Sequence, residues 1–598
     1  PPRSRRAVLL RPPEPSGWCD GHDAAWLERT WTMECLPGVP ARWTWTTRMR
    51  VLTTRGAEIA AKTEISFDAG WQELCINRLD VLGPDGTVVT KASRSDAYVL
   101  DDGHGGQGTT KKTAHLPLAG VKVGSEVVCV VSWRAPGSIG EMPWKRLHVG
   151  SYLPILRSRV ELHDPSGRAR LLARQCRTGS NDGWQWAEAI QPPIWRYEPF
   201  MAPPIHWLPT VDVTTPAGNW TDAGLSYLRS IEASLIDDRS VTDLALATCA
   251  GIDGPEATTT ALTDAVTSGL SYVAIEFGRR GRVPETAGKS LSKRFGDCKD
   301  HAVLLQRMLA AVGIPAWLVL TGSETIETSM PDLDQFDHMV VAIPQAGGLR
   351  ILDATDKNAD SSLAIPAGMG DKTVLVLDPA GPRLATLGHH QPSKVQVRRT
   401  ITIDRDGGLS VSETVTLDHY FSQSLRSALR AKPVAEHLQI IQEHLGTAVG
   451  ELQSANAIHL ADQHRPLVLS LRYRPSVRLV NDNGRMSGTL PDPWAVSYLT
   501  AGRVPDRRSP FRLGYAWTFA REVMLTHAGG LSVTTRDIIA ADNDPYNRWN
   551  EHRGKDGTIA TLVEAQAGTW PAKDYAAFVD RQDELVRRLA VPISIPSK

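Results

Sequence analysis

The chain has 598 residues, enough for about three or four domains rather than one core, and its 41% hydrophobic and 22% charged content is ordinary for a soluble globular protein. Lys+Arg and Asp+Glu both total 66, so no global charge draws the chain to nucleic acid or to an anionic membrane. No apolar run is long enough to span a bilayer. Residues 1–25 are rich in Pro and Arg and read as a flexible leading segment. The chain starts Pro-Pro-Arg-Ser-Arg-Arg without a methionine, which reads as a start removed by processing or by design, and a signal peptide could have been lost with it.

Residues 26–218 are strand-like. β-Branched runs such as Val127-Val128-Cys129-Val130-Val131 alternate with turn signals, among them Gly83-Pro84-Asp85-Gly86 and Asp101-Asp102-Gly103-His104-Gly105-Gly106. One large β-sandwich domain is expected there, closed by a Pro/Trp-dense extended surface connector from Pro192 to Pro216. Trp is over-represented, 18 against 11 Tyr and 9 Phe, and suits cores and ligand clefts equally.

The texture changes at Asn219. An N-cap there opens a helix to about Leu235, and Asp253, with Glu256 three residues on, caps a second to about Ser268. A third begins near Asp297, followed by strands at Ala316–Leu320, Met339–Ile343 and Leu349–Leu352. Residues 219–394 therefore read as an α+β domain. From 395 to 598 strands dominate again. The turn Arg405-Asp406-Gly407-Gly408 joins Thr400–Asp404 to Leu409–Leu417, and helices interrupt near Val434–Leu445 and Asp574–Leu589. The fold class is multidomain α+β, with β-rich regions before and after a mixed core.

Seven cysteines occur, Cys19, Cys35, Cys75, Cys129, Cys176, Cys249 and Cys298, with no CxxC and no zinc-ligand cadence. An odd count suits an exported enzyme with disulfides and one free nucleophile, or a reduced cytoplasmic protein; the periplasm or secretion is slightly favoured. Cys298 stands apart. In Gly296-Asp297-Cys298-Lys299-Asp300 it opens a helix whose apolar positions Ala302, Leu305, Leu309 and Val312 share a face, with Gly313 and Pro315 as the stop. A thiol at a helix N-terminus meets free N–H groups and the macrodipole, which bring a cysteine pKa from about 8.5 down to roughly 3.5–7.5.

A nucleophilic thiol needs a base, and the base an orienting group. Strand Phe336–Ile343 and returning strand Leu349–Asp353 supply both if they form a hairpin. With the four-residue loop Pro344–Gly347, His338 and Asp353 become directly opposed and face one side. Asp353 is preferred over the nearby Asp356 on that register. His301, one turn after Cys298, is a rival base that more readily packs or faces solvent.

These motifs, Gly-Asp-Cys-Lys-Asp opening a helix, a Gly-Ile-Pro stop, Phe-Asp-His starting a strand and Leu-Asp-Ala-Thr-Asp ending the next, resemble the bacterial transglutaminase-like superfamily. The resemblance implies a papain-like core whose Cys, His and Asp fall on Cys298, His338 and Asp353. The segments Ala57–Gly86 and Leu116–Val131 resemble the DUF3857-type β domain that precedes such cores. One departure is Asp337, where asparagine is the more usual neighbour and where an extra carboxylate would raise the histidine's pKa.

No cofactor or metal is implied. Cys298-x-x-His301 lacks paired ligand spacing, and an EF-hand at Asp404-Arg405-Asp406-Gly407-Gly408 would put Val415 where the bidentate glutamate belongs. Arg279-Arg280-Gly281-Arg282 and Arg503–Arg508 read as solvated basic loops, and Asn219-Trp220-Thr221 as a chance glycosylation match. The expected activity is cysteine-dependent acyl transfer on a peptide or protein amide, with amine or water as acceptor and oligomeric state open. The alternative is a binding protein with a residual triad and Trp-rich β domains.

Overall fold

The computed structural model describes residues 13–92, 96–102, 110–274, 282–528 and 538–596. The turn at 103–106, residues 279–281 of the first basic loop and residues 1–12 of the leading segment lie outside them.

The protein is multidomain and strand-rich. Its N-terminal part is built on an eight-stranded sheet in the order Arg177–Asn181, Trp184–Ile190, Arg157–His163, Ala24–Glu34, Pro40–Val51, Glu126–Ile139, Glu73–Leu82, Val88–Lys91. Only Ala24–Glu34 with Arg157–His163 pairs in parallel within this sheet. The expected turn forms between the last two strands of that order, with Gly86 at φ 82° where a side chain would be strained. The core of this part joins Met33, Val131 and Leu162 to Ile65 and Val213 from two smaller sheets. Trp43, Trp133, Trp494 and Trp549 are buried, so part of the tryptophan excess fills cores.

The Pro/Trp-dense stretch is not merely a surface connector. Thr210–Thr214 is fully buried as the middle strand between Arg170–Arg174 and Lys145–His148. Its sequence Thr-Val-Asp-Val-Thr suits a central strand, and the buried Asp212 is tolerated because Arg146 and Arg174 each donate to it at 2.8 Å.

The middle of the chain packs helices against a five-stranded antiparallel sheet, ordered Gly348–Leu352, His338–Gln345, Trp317–Thr321, Thr373–Leu377, Arg383–Thr386. Asn219 caps helix Trp220–Ile231 through a 2.8 Å bond from the Asp222 N–H. The second expected helix starts later, at Pro255, and its N-cap is Gly254 rather than Asp253; the proline supplies the helical φ at the first position without needing a side-chain cap. Helix Arg239–Cys249 also forms, capped by Asp238. The core helix Cys298–Ala311 is buried on nearly every side of its first two turns, more than one apolar face implies.

The C-terminal part carries an eight-stranded sheet centred on Leu409–Leu417, Ser393–Ile403 and Trp517–His527. The Asp404–Gly408 turn joins the first two, with Ile403 opposite Leu409. Val415 is fully buried in the sheet. Helices His437–Leu445 and Tyr575–Leu589 match the expected interruptions; His419–Arg430 and Pro493–Leu499 add to them. The Arg503–Arg508 loop is not simply solvated: Arg507 is buried 4.0 Å above the Tyr575 ring. Among the described residues no helix is long and apolar enough to cross a membrane.

Candidate active site

Cys298 is the first residue of its helix and is half-buried. Asp297 and Asp300 form a capping box: Asp300 Oδ2 accepts the Asp297 N–H at 3.3 Å, and the Asp297 side chain takes the Asp300 N–H. The other Asp300 oxygen accepts the Glu285 N–H at 2.8 Å. Gly296 is required by packing, since a Cβ there would come within 2.5 Å of the Asp300 Cβ. The Lys299 ammonium pairs with the Asp297 carboxylate, both buried. At the far end Ile314 N–H bonds the Leu309 carbonyl and Gly313 N–H the Ala310 carbonyl, each at 3.0 Å, with Gly313 at φ 74°. That is a Schellman stop, so the helix is capped at both ends.

His338 begins its strand opposite Thr321. Its Nε2 lies 2.9 Å from Asp353 Oδ2, and Cys298 is near enough for its charge to act on the ring. With Nε2 on the carboxylate, Nδ1 is the nitrogen left for the thiol. Asp353 is completed by Thr355, whose N–H and hydroxyl donate to Oδ1 at 3.0 and 2.6 Å. The structure thus joins His338 to Asp353 by a hydrogen bond and sets Cys298 beside that pair.

The hairpin register differs from the one expected. Gln345 pairs with Gly348 and Val341 with Leu352, so the loop is the two residues Ala346-Gly347. The shift relative to the four-residue loop is even, which keeps His338 and Asp353 on one face as a diagonal rather than a direct pair.

Burial of the His338 ring opposes its charge, but the hydrogen bond to Asp353 and the negative charge of Asp353 and Cys298 outweigh it and raise its pKa to about 10. Burial likewise opposes ionisation of Asp353, yet the His338 and Thr355 bonds hold it below the usual carboxylate range.

The rival residues are engaged elsewhere. His301 is buried, with Nδ1 at 2.9 Å from the Asp297 carbonyl and its ring 5.9 Å from that of Tyr272. Asp356 accepts the Asn358 N–H at 2.8 Å and the Gln423 side-chain amide. The Asp337 carboxylate turns to Ser323, taking its N–H at 2.9 Å and its hydroxyl. Among the described residues no His, Cys, Asp and Glu cluster is placed to hold a metal.

The surroundings include residues that sequence patterns did not single out. Tyr227 donates to the Arg282 carbonyl at 2.8 Å, and burial, with the charges of Cys298 and Asp297, pushes its hydroxyl up. Trp220 meets Phe336 edge-on at 5.7 Å. Trp220 and Tyr227 are seven apart on helix Trp220–Ile231, a same-face spacing that was readable. The loop before His338 is tied to the N-terminal part: Arg146 donates to the Thr325 carbonyl at 2.6 Å, Arg174 pairs with Glu327, and Thr214 donates to Asp332.

A family model described as a domain of unknown function with a solved structure, DUF3857, matches residues 41–187. No curated protein matches the chain. Among solved structures, a "putative protease" from Parabacteroides distasonis aligns over 96% of this chain and 99% of its own, with TM-score 0.66 and 14% identity. A "putative cysteine protease" from Cytophaga hutchinsonii covers 52% of this chain and 75% of its own at 13% identity, with TM-score 0.16. The chain therefore carries a DUF3857 domain and shares its overall fold, over nearly its whole length, with the Parabacteroides protein.

Proposed function

We propose that the protein is a cysteine-dependent acyl-transfer enzyme of the transglutaminase-like kind, acting on a peptide or protein amide, with Cys298 as nucleophile, His338 as acid and base, and Asp353 as orienting carboxylate. The observation that carries this is the His338–Asp353 hydrogen bond beside Cys298, which opens a buried helix.

Cys298 Sγ attacks the amide carbonyl and forms an S–C bond, with the thiol proton on His338. First-turn N–H groups and the helix dipole stabilise the tetrahedral oxyanion. His338 passes the proton to the amide nitrogen, the C–N bond breaks, and ammonia or an amine leaves a thioester. An amine or water then attacks the thioester, gives its proton to His338, and frees the thiol. Charge on the imidazolium is balanced throughout by Asp353.

Incubation with a peptide library and a labelled amine, read by mass spectrometry, tests this. Label on glutamine-type side chains means transamidation, conversion of amide to acid means deamidation, and shortened peptides mean proteolysis. Each must vanish in Cys298→Ala. Absence of all three in the unaltered protein favours the alternative of a binding protein with a residual triad.

A further inference from the structure

Asp353 stands at the head of a stretch without regular structure, residues 353–363, and that stretch is held largely by side chains remote in sequence. His464, in the turn between Glu451–Ile458 and Leu467–Arg474, sits between two carboxylates. Its Nδ1 is 3.0 Å from Asp360 Oδ1, and its Nε2 is 2.5 Å from Asp264 Oδ2 on the core helix Pro255–Gly269. Ser361 donates to the other Asp264 oxygen at 2.8 Å, and Gln463 reaches the same atom at 3.1 Å. His419 Nδ1 lies 3.6 Å from Asp360 Oδ2. Helix His419–Arg430 adds two more ties: the Gln423 amide donates to Asp356, and Arg430 donates to the Lys357 carbonyl at 2.9 Å.

An imidazole with a carboxylate on each nitrogen must donate from both, so it is charged. The two carboxylate bonds raise the His464 pKa to about 10 against the cost of burial, which keeps the clamp closed at neutral pH. The ties that reach the stretch fall on Asp356, Lys357, Asp360 and Ser361, three to eight residues after Asp353, and the other end of the stretch is anchored where the Ile351 N–H bonds the Ala364 carbonyl at 2.8 Å. The loop that aims Asp353 at His338 is thus pinned at both ends, once by its own hairpin and once by the C-terminal part.

We propose that His464, with Gln423 and Arg430, positions the Asp353 loop, so that the candidate site is completed by a region that contributes no reacting group. These are positioning residues; none touches the thiol or the base. The inference rests on the reading of Cys298, His338 and Asp353 as the reacting set. It explains why a mixed core of this kind is joined to a long C-terminal region: displacement of the loop by about 1 Å is enough to cost about 10²-fold in rate.

The test uses the full chain with His338 followed by NMR titration and Cys298 acylation followed with an activated ester, in His464→Gln and Gln423→Ala. Far-UV circular dichroism checks that each variant is folded. The clamp predicts that His338 titrates lower than in the unaltered protein by about 1 pH unit or more, and that acylation slows about 10²-fold. A purely structural role lowers the unfolding midpoint and leaves the His338 titration in place, and that result overturns the proposal. Should His464→Gln fail to fold, Gln423→Ala carries the same test, because it removes a single hydrogen bond. The titration needs no turnover, so the two claims separate. A shifted His338 in a protein that is never acylated overturns the enzymatic reading alone, and normal acylation with an unshifted His338 in the variants overturns the clamp alone.

Discussion

Asp353→Ala is expected to slow acylation of Cys298 by an activated ester about 10²–10⁴-fold at neutral pH, the range lost when an acid–base group is no longer held in place. The alanine removes the carboxylate bonded to His338 at 2.9 Å and frees Thr355 from its two bonds to Oδ1. The pKa of His338 should then fall from about 10 toward the ordinary histidine value of about 6.5. The sign follows from which state holds the proton more tightly. A folded-state pKa above the unfolded one stabilises the fold fully below about pH 6.5, and the contribution is lost as pH rises through about 10. The stability gap between the unaltered protein and the variant should therefore be widest in mild acid, at about pH 6, and shrink steadily as pH rises from about 6.5 toward about 10. Stopped-flow release of the ester's leaving group, with denaturant unfolding at several pH values, measures both. Acylation at the unaltered rate in the variant would show that the carboxylate has no part in the chemistry.

Asp492→Ala is expected to destabilise the C-terminal part by about 3–5 kcal/mol, the scale for removing one partner from a buried ion network. Asp492 Oδ2 accepts from Arg399 at 2.9 Å and from Arg521 at 3.0 Å, and all three side chains are fully buried. Its other oxygen caps helix Pro493–Leu499 through the Trp494 and Ala495 N–H groups, each at 3.0 Å. Around it Glu413 accepts from Arg399 at 2.7 Å and from the Trp494 indole at 2.8 Å, and Glu551 takes Arg521 and Arg553 at 3.3 and 2.6 Å. Three guanidiniums thus balance three carboxylates. Loss of Asp492 leaves two buried cations with one carboxylate fewer and an uncapped helix. Trp494, within the network, reports the transition by fluorescence in a urea titration. A loss below about 1 kcal/mol, the ordinary scale of a point change, would mean the network is not what holds this region.

The local signals of the site were legible and the long-range ones were not. Gly296, Asp297 and Cys298 announce a helix start because each residue type has a reason to be there that involves only its neighbours: close approach, capping, and the first helical position. The hairpin carrying His338 and Asp353 was legible in its faces but not in its register, because period-2 alternation survives an even slip. Here Gly347-Gly348 permitted a tighter turn than the proline suggested. Gly254 displaced Asp253 as a cap because Pro255 already supplies a helical φ. Arg507 was taken for surface by composition, yet Tyr575 and Phe511 fold over it. The clamp was invisible for a different reason. His464 and Asp264 are 200 residues apart and Gln423 and Asp356 are 67 apart, and neither residue type carries a local mark of its partner. The same holds for strand Thr210–Thr214, whose proline-rich flanks read as a connector although tertiary pairing made it a central strand.

Modification of the cysteines by iodoacetamide at neutral pH, read by peptide mass spectrometry in the unaltered protein and in His338→Ala, tests the central claim most directly. All seven cysteines are free, so six serve as internal controls in the same tube. Burial pushes the Cys129 thiol up to about 12 and the Cys176 thiol up to about 11, which makes them slow references. The account predicts that Cys298 is modified fastest in the unaltered protein, ahead even of the exposed Cys75, and that this lead disappears in His338→Ala while the rates of the other six are unchanged. Equal, slow modification of Cys298 in both proteins would contradict it.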